Sequence, residues 1–281
     1  MKILVTGGSG NVGSAVTAAL LDAGHAVRVF DLKEPAVPAA DFVCGDVTDP
    51  HAVEAAVKGM DAVVHLAAIP ALRPDVPAVD YIHVNVAGTC NVLEAAARHD
   101  VGKVVFAGSD SALGFVFSTH PFSPDYLPID EGHPLRPQDA YGLSKLMGEE
   151  LCKSATRRYG LHTVALRFCW VWFDDTYAQR ADVLKGDPQV QAKTMWGHVG
   201  VRDAAQACRL AVEHPDLPPC DVFFISAEDT YADAPSLDLI RAHYPDVKEV
   251  DEAHFATPYT GLFDVSKART RLGYAPQCTC H

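Results

Sequence analysis

Tyr141-Gly-Leu-Ser-Lys145 sets a phenol and an ammonium four residues apart, at the start of a stretch with helical periodicity. On a helix, positions i and i+4 share one face, so the two groups can act on each other. An ammonium beside a phenol favours the phenolate and lowers a pKa that is otherwise about 10. A tyrosine tuned in this way can take a proton from a hydroxyl, or return one, while hydride is transferred. The same spacing also arises by accident on helix surfaces, so it gains meaning only beside a site for a hydride carrier.

The chain opens with such a site. Met1-Lys-Ile-Leu-Val-Thr-Gly-Gly-Ser-Gly-Asn-Val-Gly13 places an apolar strand directly before Gly7, Gly10 and Gly13, with a helix opening behind them. The first glycine permits a tight turn, the second lets backbone approach a pyrophosphate, and the third lets the helix pack close. The amides of Asn11, Val12 and Gly13 at the helix start then face the phosphates. The next strand ends at Asp31, where a carboxylate can accept from ribose hydroxyls and would repel a 2′-phosphate, which favours NAD over NADP. Arg28 and Lys33 stand near enough in sequence to weaken that preference.

Around these motifs the chain alternates short β-branched runs with helical patterns. The expected strands are Lys2–Thr6, Ala26–Asp31, Asp41–Cys44, Ala62–His65, Lys103–Ala107 and His162–Phe168. The expected helices are Val12–Ala23, Pro50–Lys58, Ile82–His99 and Tyr141–Arg158. This alternation implies an α/β fold, a Rossmann-type doubly wound parallel sheet with helices on both faces. Residues 1–168 are expected to form the dinucleotide domain. Residues 169–281 should form a small C-terminal substrate lobe, partly interleaved with the main sheet. Within that part Trp170 to His198 reads as irregular and aromatic. A helix over Val201–Glu213, a strand over Asp221–Ser226, a short helix over Ser236–Ala242 and a last helix between Asp264 and Pro276 are expected to follow.

Composition narrows the partners. The 281 residues include 23 Lys+Arg against 36 Asp+Glu, a net charge of −13, with 48% hydrophobic and 21% charged residues. Such a chain is not disordered as a whole, and its acidity argues against nucleic acid or anionic membrane as the main partner. No apolar run reaches the roughly 20 residues that span a bilayer, and no leader is expected before the first apolar run. The eight cysteines are scattered and read as reduced thiols of a cytoplasmic protein rather than as disulfides. Cys278-Thr-Cys280-His281 supplies too few ligands for a closed metal site, so no metal is expected and this run reads as a frayed end.

Taken together, these motifs resemble the extended short-chain dehydrogenase/reductases, the NAD-dependent epimerase/dehydratase family, nearly from end to end. Besides the glycine turn and Tyr141/Lys145, the matching pieces are Cys44-Gly-Asp46-Val47, His65-Leu-Ala-Ala68, Asn85-Val-Ala-Gly-Thr and Ser109. Further along they are Ala165-Leu-Arg167, Val201-Arg-Asp203, Asp264-Val-Ser-Lys267 and Leu272-Gly-Tyr-Ala-Pro276. The resemblance implies that Asp46 and Val47 border an adenine, Leu66, Ala67 and Ala68 the pyrophosphate and ribose, and that Asn85 and Phe168 lie at the cofactor. It implies that Lys145 also reaches the nicotinamide ribose and that Ser109 orients the reacting oxygen beside Tyr141. Ser111 competes for that serine role, and Asp110 is either a substrate contact or a solvated loop residue. A homodimer seam built from the two helices over 82–99 and 141–158 is implied as well.

Departures from the family pattern bear on the reaction. Ser109-Asp110-Ser111 lacks the adjacent acidic pair of the dehydratases, so dehydration is not expected. Trp170 stands where epimerases carry an Asn that holds a nucleotide diphosphate, or else it simply packs; an indole offers a single donor. The stretch from Arg167 to Val201 is short, which resembles the abbreviated uronate dehydrogenases and points to a small sugar or sugar acid. Arg180 and Lys193 are candidates to pair with a substrate carboxylate. The aromatics Phe115, Phe117, Phe122 and Tyr126 either border the active-site mouth or cover the second lobe, and His120 is a minor candidate base. The expected function is NAD-dependent oxidation of a sugar-type secondary alcohol, with Ser109, Tyr141 and Lys145 as catalytic residues. The alternatives are a nucleotide-sugar epimerase and a non-catalytic NAD-sensing module.

Overall fold

The computed structural model describes residues 1–37 and 41–281. In chain order it begins β1 (Lys2–Thr6), α1 (Asn11–Asp22), β2 (Ala26–Asp31), β3 (Asp41–Cys44), α2 (Pro50–Val57), β4 (Ala62–His65) and α3 (Ala78–Tyr81). A π-helical stretch, Ile82–Ala87, leads into α4 (Gly88–Arg98). There follow β5 (Lys103–Ser109), β6 (Tyr126–Leu127), α5 (Ala140–Tyr159), β7 (His162–Phe168) and β8 (Trp170–Trp172). The remainder is α6 (Asp174–Ala178), α7 (Arg180–Val183), α8 (Pro188–Lys193), β9 (His198–Gly200), α9 (Val201–Glu213), β10 (Cys220–Ile225), α10 (Ser236–His243) and β11 (Glu249–Val250).

Seven parallel strands form one sheet in the order β3-β2-β1-β4-β5-β7-β10. The order reverses between β1 and β4, and an open sheet of this kind binds ligands outside the carboxyl ends of the strands at that point. One face packs Val16 and Leu20 of α1 and Ala204, Ala207, Cys208 and Ala211 of α9 against Ile3, Val5, Val164 and Phe223. The other face packs Val53, Val92, Ala96 and Cys152 against Leu4, Val63, Val104 and Phe106. Burial on both faces is why these strands are apolar at successive positions.

The helix that carries Tyr141 and Lys145 has local start and stop signals. Asp139 caps α5 by accepting from the Gly142 amide at 2.8 Å, and Gly160 ends it in the left-handed region, φ +69. Two contacts then press α5 onto the sheet. Gly148 lies so close to the Phe106 ring that a Cβ there would overlap it. Next to it, Glu149 and Arg167 of β7 form a bidentate pair, both bonds 2.8 Å, with side chains 0% and 4% exposed.

The segment after Phe168 divides between two layers. α9, β10 and a closing π-helical turn, Ala268–Leu272, pack in the sheet and its helical cover, while most of the rest gathers with the 113–129 loop around Trp172, Trp196, Tyr231 and Phe263. Trp170–His198, expected as irregular, contains two paired short strands, β8 and β9, and three short helices. Helices of four to six residues leave too short a repeat for periodicity to register. β5 also runs two residues further than expected, because Gly108 and Ser109 continue the ladder to β7. The chain end, expected to fray, is pinned. Gln277 and Cys278 amides bond Asp203, Cys280 and His281 amides bond Asp229, and the His281 ring stacks on Tyr259 at 3.7 Å.

Removing one partner of a sealed ion pair strands the other charge. Arg167→Met should therefore lower stability in urea unfolding by roughly 3–5 kcal/mol, and the double variant with Glu149→Met should recover most of that loss.

Candidate active site

The carboxyl ends of β1, β2, β4, β5 and β7 border one cleft of about 1350 Å³. That exceeds the roughly 300–1,000 Å³ of a pocket for a single drug-sized ligand, so there is length for a two-part occupant. At one end lies the glycine turn. Gly7 is left-handed, φ +70, and its amide donates to the Phe30 carbonyl at 2.9 Å. A Cβ on Gly13 would strike the Gly7 carbonyl, so α1 can seat on the turn only with glycine there. Gly10 caps α1 without a side-chain acceptor, which leaves the amides of Asn11, Val12 and Gly13 directed at the cleft. A pyrophosphate fits this cradle by the chemistry of its donors.

Asp31 at the end of β2 accepts from the Ser9 amide at 3.0 Å and the Lys33 amide at 3.3 Å, and it lines the cleft. Arg28 is drawn away, held by Asp41 at 2.7 Å and the Ala56 carbonyl at 3.1 Å. Lys33 does line the cleft. Asp46, Val47, Leu66, Ala67, Ala68 and Phe168 follow along its walls. Asn85, grouped with the cofactor residues from sequence, does not line it. Its amide is buried, accepting from the Ile69 amide at 2.8 Å and donating to the Ile69 carbonyl and to Ser144 Oγ. Asn85 therefore acts through others, tying the 66–71 loop to the α5 turn that carries Tyr141 and Lys145.

Past this loop the cleft reaches Ser109, Asp110, Ser111, Tyr141 and Lys145. Lys145 is buried; its Nζ donates to the Ala107 carbonyl at 2.8 Å and lies 5.7 Å from the Tyr141 ring centre. Burial brings this ammonium down to about 8. The expected depression of the phenol is not what the pocket itself imposes. Burial pushes Tyr141 up to about 12, and the Asp110 and Asp139 carboxylates add to the rise, while the Ser109 hydroxyl and the Ala71 backbone oppose it. The rings of Phe117 and Tyr81 meet Tyr141 edge-on at 6.0 and 6.3 Å, and account for that apolar setting. Both competing serines line the cleft, and they are joined to each other, the Ser111 amide donating to Ser109 Oγ at 3.1 Å.

A model of the "NAD dependent epimerase/dehydratase family" matches residues 3–172. The chain belongs to that family. The L-arabinose 1-dehydrogenase (NAD(P)(+)) of Haloferax volcanii is 35% identical over 81% of this chain and 89% of its own length. The UDP-glucose 4-epimerase of Corynebacterium glutamicum is 28% identical over 99% and 92%. The uronate dehydrogenase of Pseudomonas syringae pv. tomato is 32% identical over 62% of this chain. The chain spans 66% of that relative's length and 57% of another's. Among solved structures, a short-chain dehydrogenase/reductase superfamily protein from Agrobacterium tumefaciens with bound NAD aligns with a TM-score of 0.74. It is 28% identical, over 100% of this chain and 94% of that one.

At the Trp170 end of the cleft the sequence expectations meet different outcomes, and Arg180 and Lys193 depart from theirs. Trp170, 43% exposed, lines the cleft and also meets Trp172 and Tyr231 edge-on. Of the aromatic loop, Phe117 borders the cleft, while Phe115 and Phe122 lie tilted against each other, ring centres 4.6 Å apart, in the cluster around Trp172, and His120 is exposed. Arg180 and Lys193 do not line the cleft. Arg180 is held by Asp233 at 2.6 Å and by the Tyr231 and Ala232 carbonyls, and Lys193 donates to the Ser118 carbonyl at 2.8 Å. Asp182, Asp187, Gln191, Thr194 and Tyr231 form the far wall, which no motif in the sequence marked.

Asp110, which the sequence left open between contact and loop residue, is buried in the cleft wall, its Oδ1 accepting from Ser109 Oγ at 3.1 Å. Burial raises its carboxyl to about 7, against weaker opposition from hydrogen bonds of Ser109 and Ser111. The unfolded chain gives up this proton near its ordinary value of 3.8 and the folded chain only near 7. The contribution of Asp110 to stability therefore falls as pH rises across that window, by up to about 1.4 kcal/mol per pH unit. Asp110→Asn removes the titration. Its unfolding free energy relative to wild type should increase from pH 4 to pH 7 and level off above, as read by urea melts at each pH.

Proposed function

We propose that this protein is an NAD-dependent oxidoreductase that oxidises a secondary alcohol of a sugar or sugar acid. The observation that carries the reading is the convergence of Ser109, Tyr141 and Lys145 on one end of a cleft whose other end is the glycine cradle. NAD, when bound, supplies the hydride acceptor. The Ser109 hydroxyl holds the substrate oxygen, and Tyr141 takes the proton from it. The Lys145 ammonium offsets the phenolate charge and remains mostly protonated near neutral pH, since its pKa is about 8. Because the phenol sits at about 12, the base is scarce at neutral pH and oxidation should speed up toward alkaline pH.

Tyr141→Phe should reduce turnover roughly 10²–10⁴-fold while NAD titration by protein fluorescence stays within a few-fold of wild type. Near wild-type turnover in that variant would sink the proposal. The epimerases among the relatives use a returning hydride in a nucleotide sugar, which leaves no NADH in solution. Growth of NADH absorbance with a free sugar therefore separates oxidation from epimerisation, and neither should occur in a mere NAD sensor.

Asp31 sets the preference between cofactors in this reading, through the ribose hydroxyls it would accept from. Asp31→Ser should raise kcat/KM for NADP relative to NAD by at least about tenfold, or about 1.4 kcal/mol. An unchanged ratio in steady-state assays would remove Asp31 from that role.

A homodimer belongs to the same proposal. Leu143 and Met147, one turn apart on α5, are 41% and 36% exposed, an apolar stripe that a second copy would cover. A cytoplasmic location accords with eight free thiols. Among the described residues no helix is long and apolar enough to cross a membrane.

A further inference from the structure

The charges around the substrate end are one-sided. Among the described residues, the cleft is lined by two cations, Lys33 at the Asp31 end and Lys145 beside Tyr141, whose ammonium already donates to Ala107. The three acids beyond Tyr141 are Asp110, Asp182 and Asp187. Asp182 is paired with Lys185 at 2.7 Å and Asp187 caps α8 through the Gln189 amide at 2.9 Å. Asp110 has no cation; its recorded donors are its serine neighbours. A carboxylate offers about four acceptor positions, so these serines leave part of it for a ligand. Arg167, in register with Gly108 across β5 and β7, is consumed by Glu149.

A carboxylate or diphosphate brought to this wall would find no unpaired cation among the described residues, and beside it Asp110, which burial holds protonated up to about 7 and which is a like charge above that. A polyol meets the opposite situation. Its hydroxyls can donate to Asp110 and to the Gln191 side-chain carbonyl, exchange bonds with the Thr194–Tyr231 hydroxyl pair, 2.7 Å apart, and lay a C–H face on Trp170. We infer that the substrate is an uncharged sugar, and that Asp110 is the specificity-determining residue, accepting a hydrogen bond from a hydroxyl other than the one oxidised and excluding sugar acids and nucleotide sugars. The inference rests on the oxidoreductase reading for its chemistry but not for its recognition, and the test uses that difference.

Binding is measured by calorimetry on NAD-loaded Tyr141→Phe protein, with L-arabinose, D-xylose and D-galactose as neutral probes and D-galacturonate and UDP-glucose as charged ones. The best neutral sugar should bind at least about 10-fold more tightly than either anion. In wild type, NADH formation should show kcat/KM for that sugar at least about 100-fold above its uronate. Asp110→Asn should raise KM for the neutral sugar more than it lowers kcat, and narrow the gap to the uronate at least about tenfold. NAD affinity should be unchanged. Equal or tighter binding of galacturonate or UDP-glucose would overturn the inference while leaving the oxidoreductase reading intact. Selective neutral binding with no NADH from any sugar would support the recognition and overturn the chemistry. An Asp110→Asn variant with unaltered discrimination would remove Asp110 from its role.

Discussion

A lysine ammonium enclosed by protein must have its charge answered nearby, and Lys145 has the Ala107 carbonyl at 2.8 Å as its protein acceptor. That bond joins the second turn of α5 to the carboxyl-terminal part of β5, and it needs the helix to lie very close to the sheet. Gly148 against Phe106 removes the side chain that would hold the two apart, and the Glu149–Arg167 pair fixes the helix one strand further over. The placement of Lys145 in the cleft is thus a consequence of how closely α5 seats. Tyr141 follows one turn earlier, and Asp139 ahead of it sets where that turn begins.

The two ends of the cleft obtain their polarity by different means. The glycine turn uses backbone amides and a helix end, which need no charged side chain and survive almost any flanking sequence. The Tyr141 end uses buried ionisable side chains, whose character depends on everything around them. Lys145 is lowered, Asp110 and Tyr141 are raised, and all three shifts have burial as their leading cause. Occupation of the cleft changes the surroundings of those groups, so substrate and cofactor themselves take part in setting the proton affinities of the site.

Most of the sheet was legible because its strands carry the composition that burial on both faces demands, and the expected and observed boundaries of β1 to β4 coincide. The same holds for the glycine turn, where the requirement for no side chain is absolute. Legibility ended where a residue's role depends on a contact remote in sequence. Asn85 matched a motif, yet its amide is spent on Ile69 and Ser144. Arg180 and Lys193 offered the right charge for a sugar acid, yet Asp233 and Ser118 hold them elsewhere. The far wall, from Asp182 to Thr194, comes from helices too short to leave a periodic trace.

The sequence by itself therefore determined the doubly wound sheet, the cofactor cradle and the i, i+4 pairing of Tyr141 with Lys145, because these depend on local sterics and on periodicity within single elements. Only the tertiary structure decided where the cations go and that Asp110 is sealed into the wall. Electrostatic character is a property of burial and of neighbours brought from other parts of the chain, and neither is written in the spacing of residues along it.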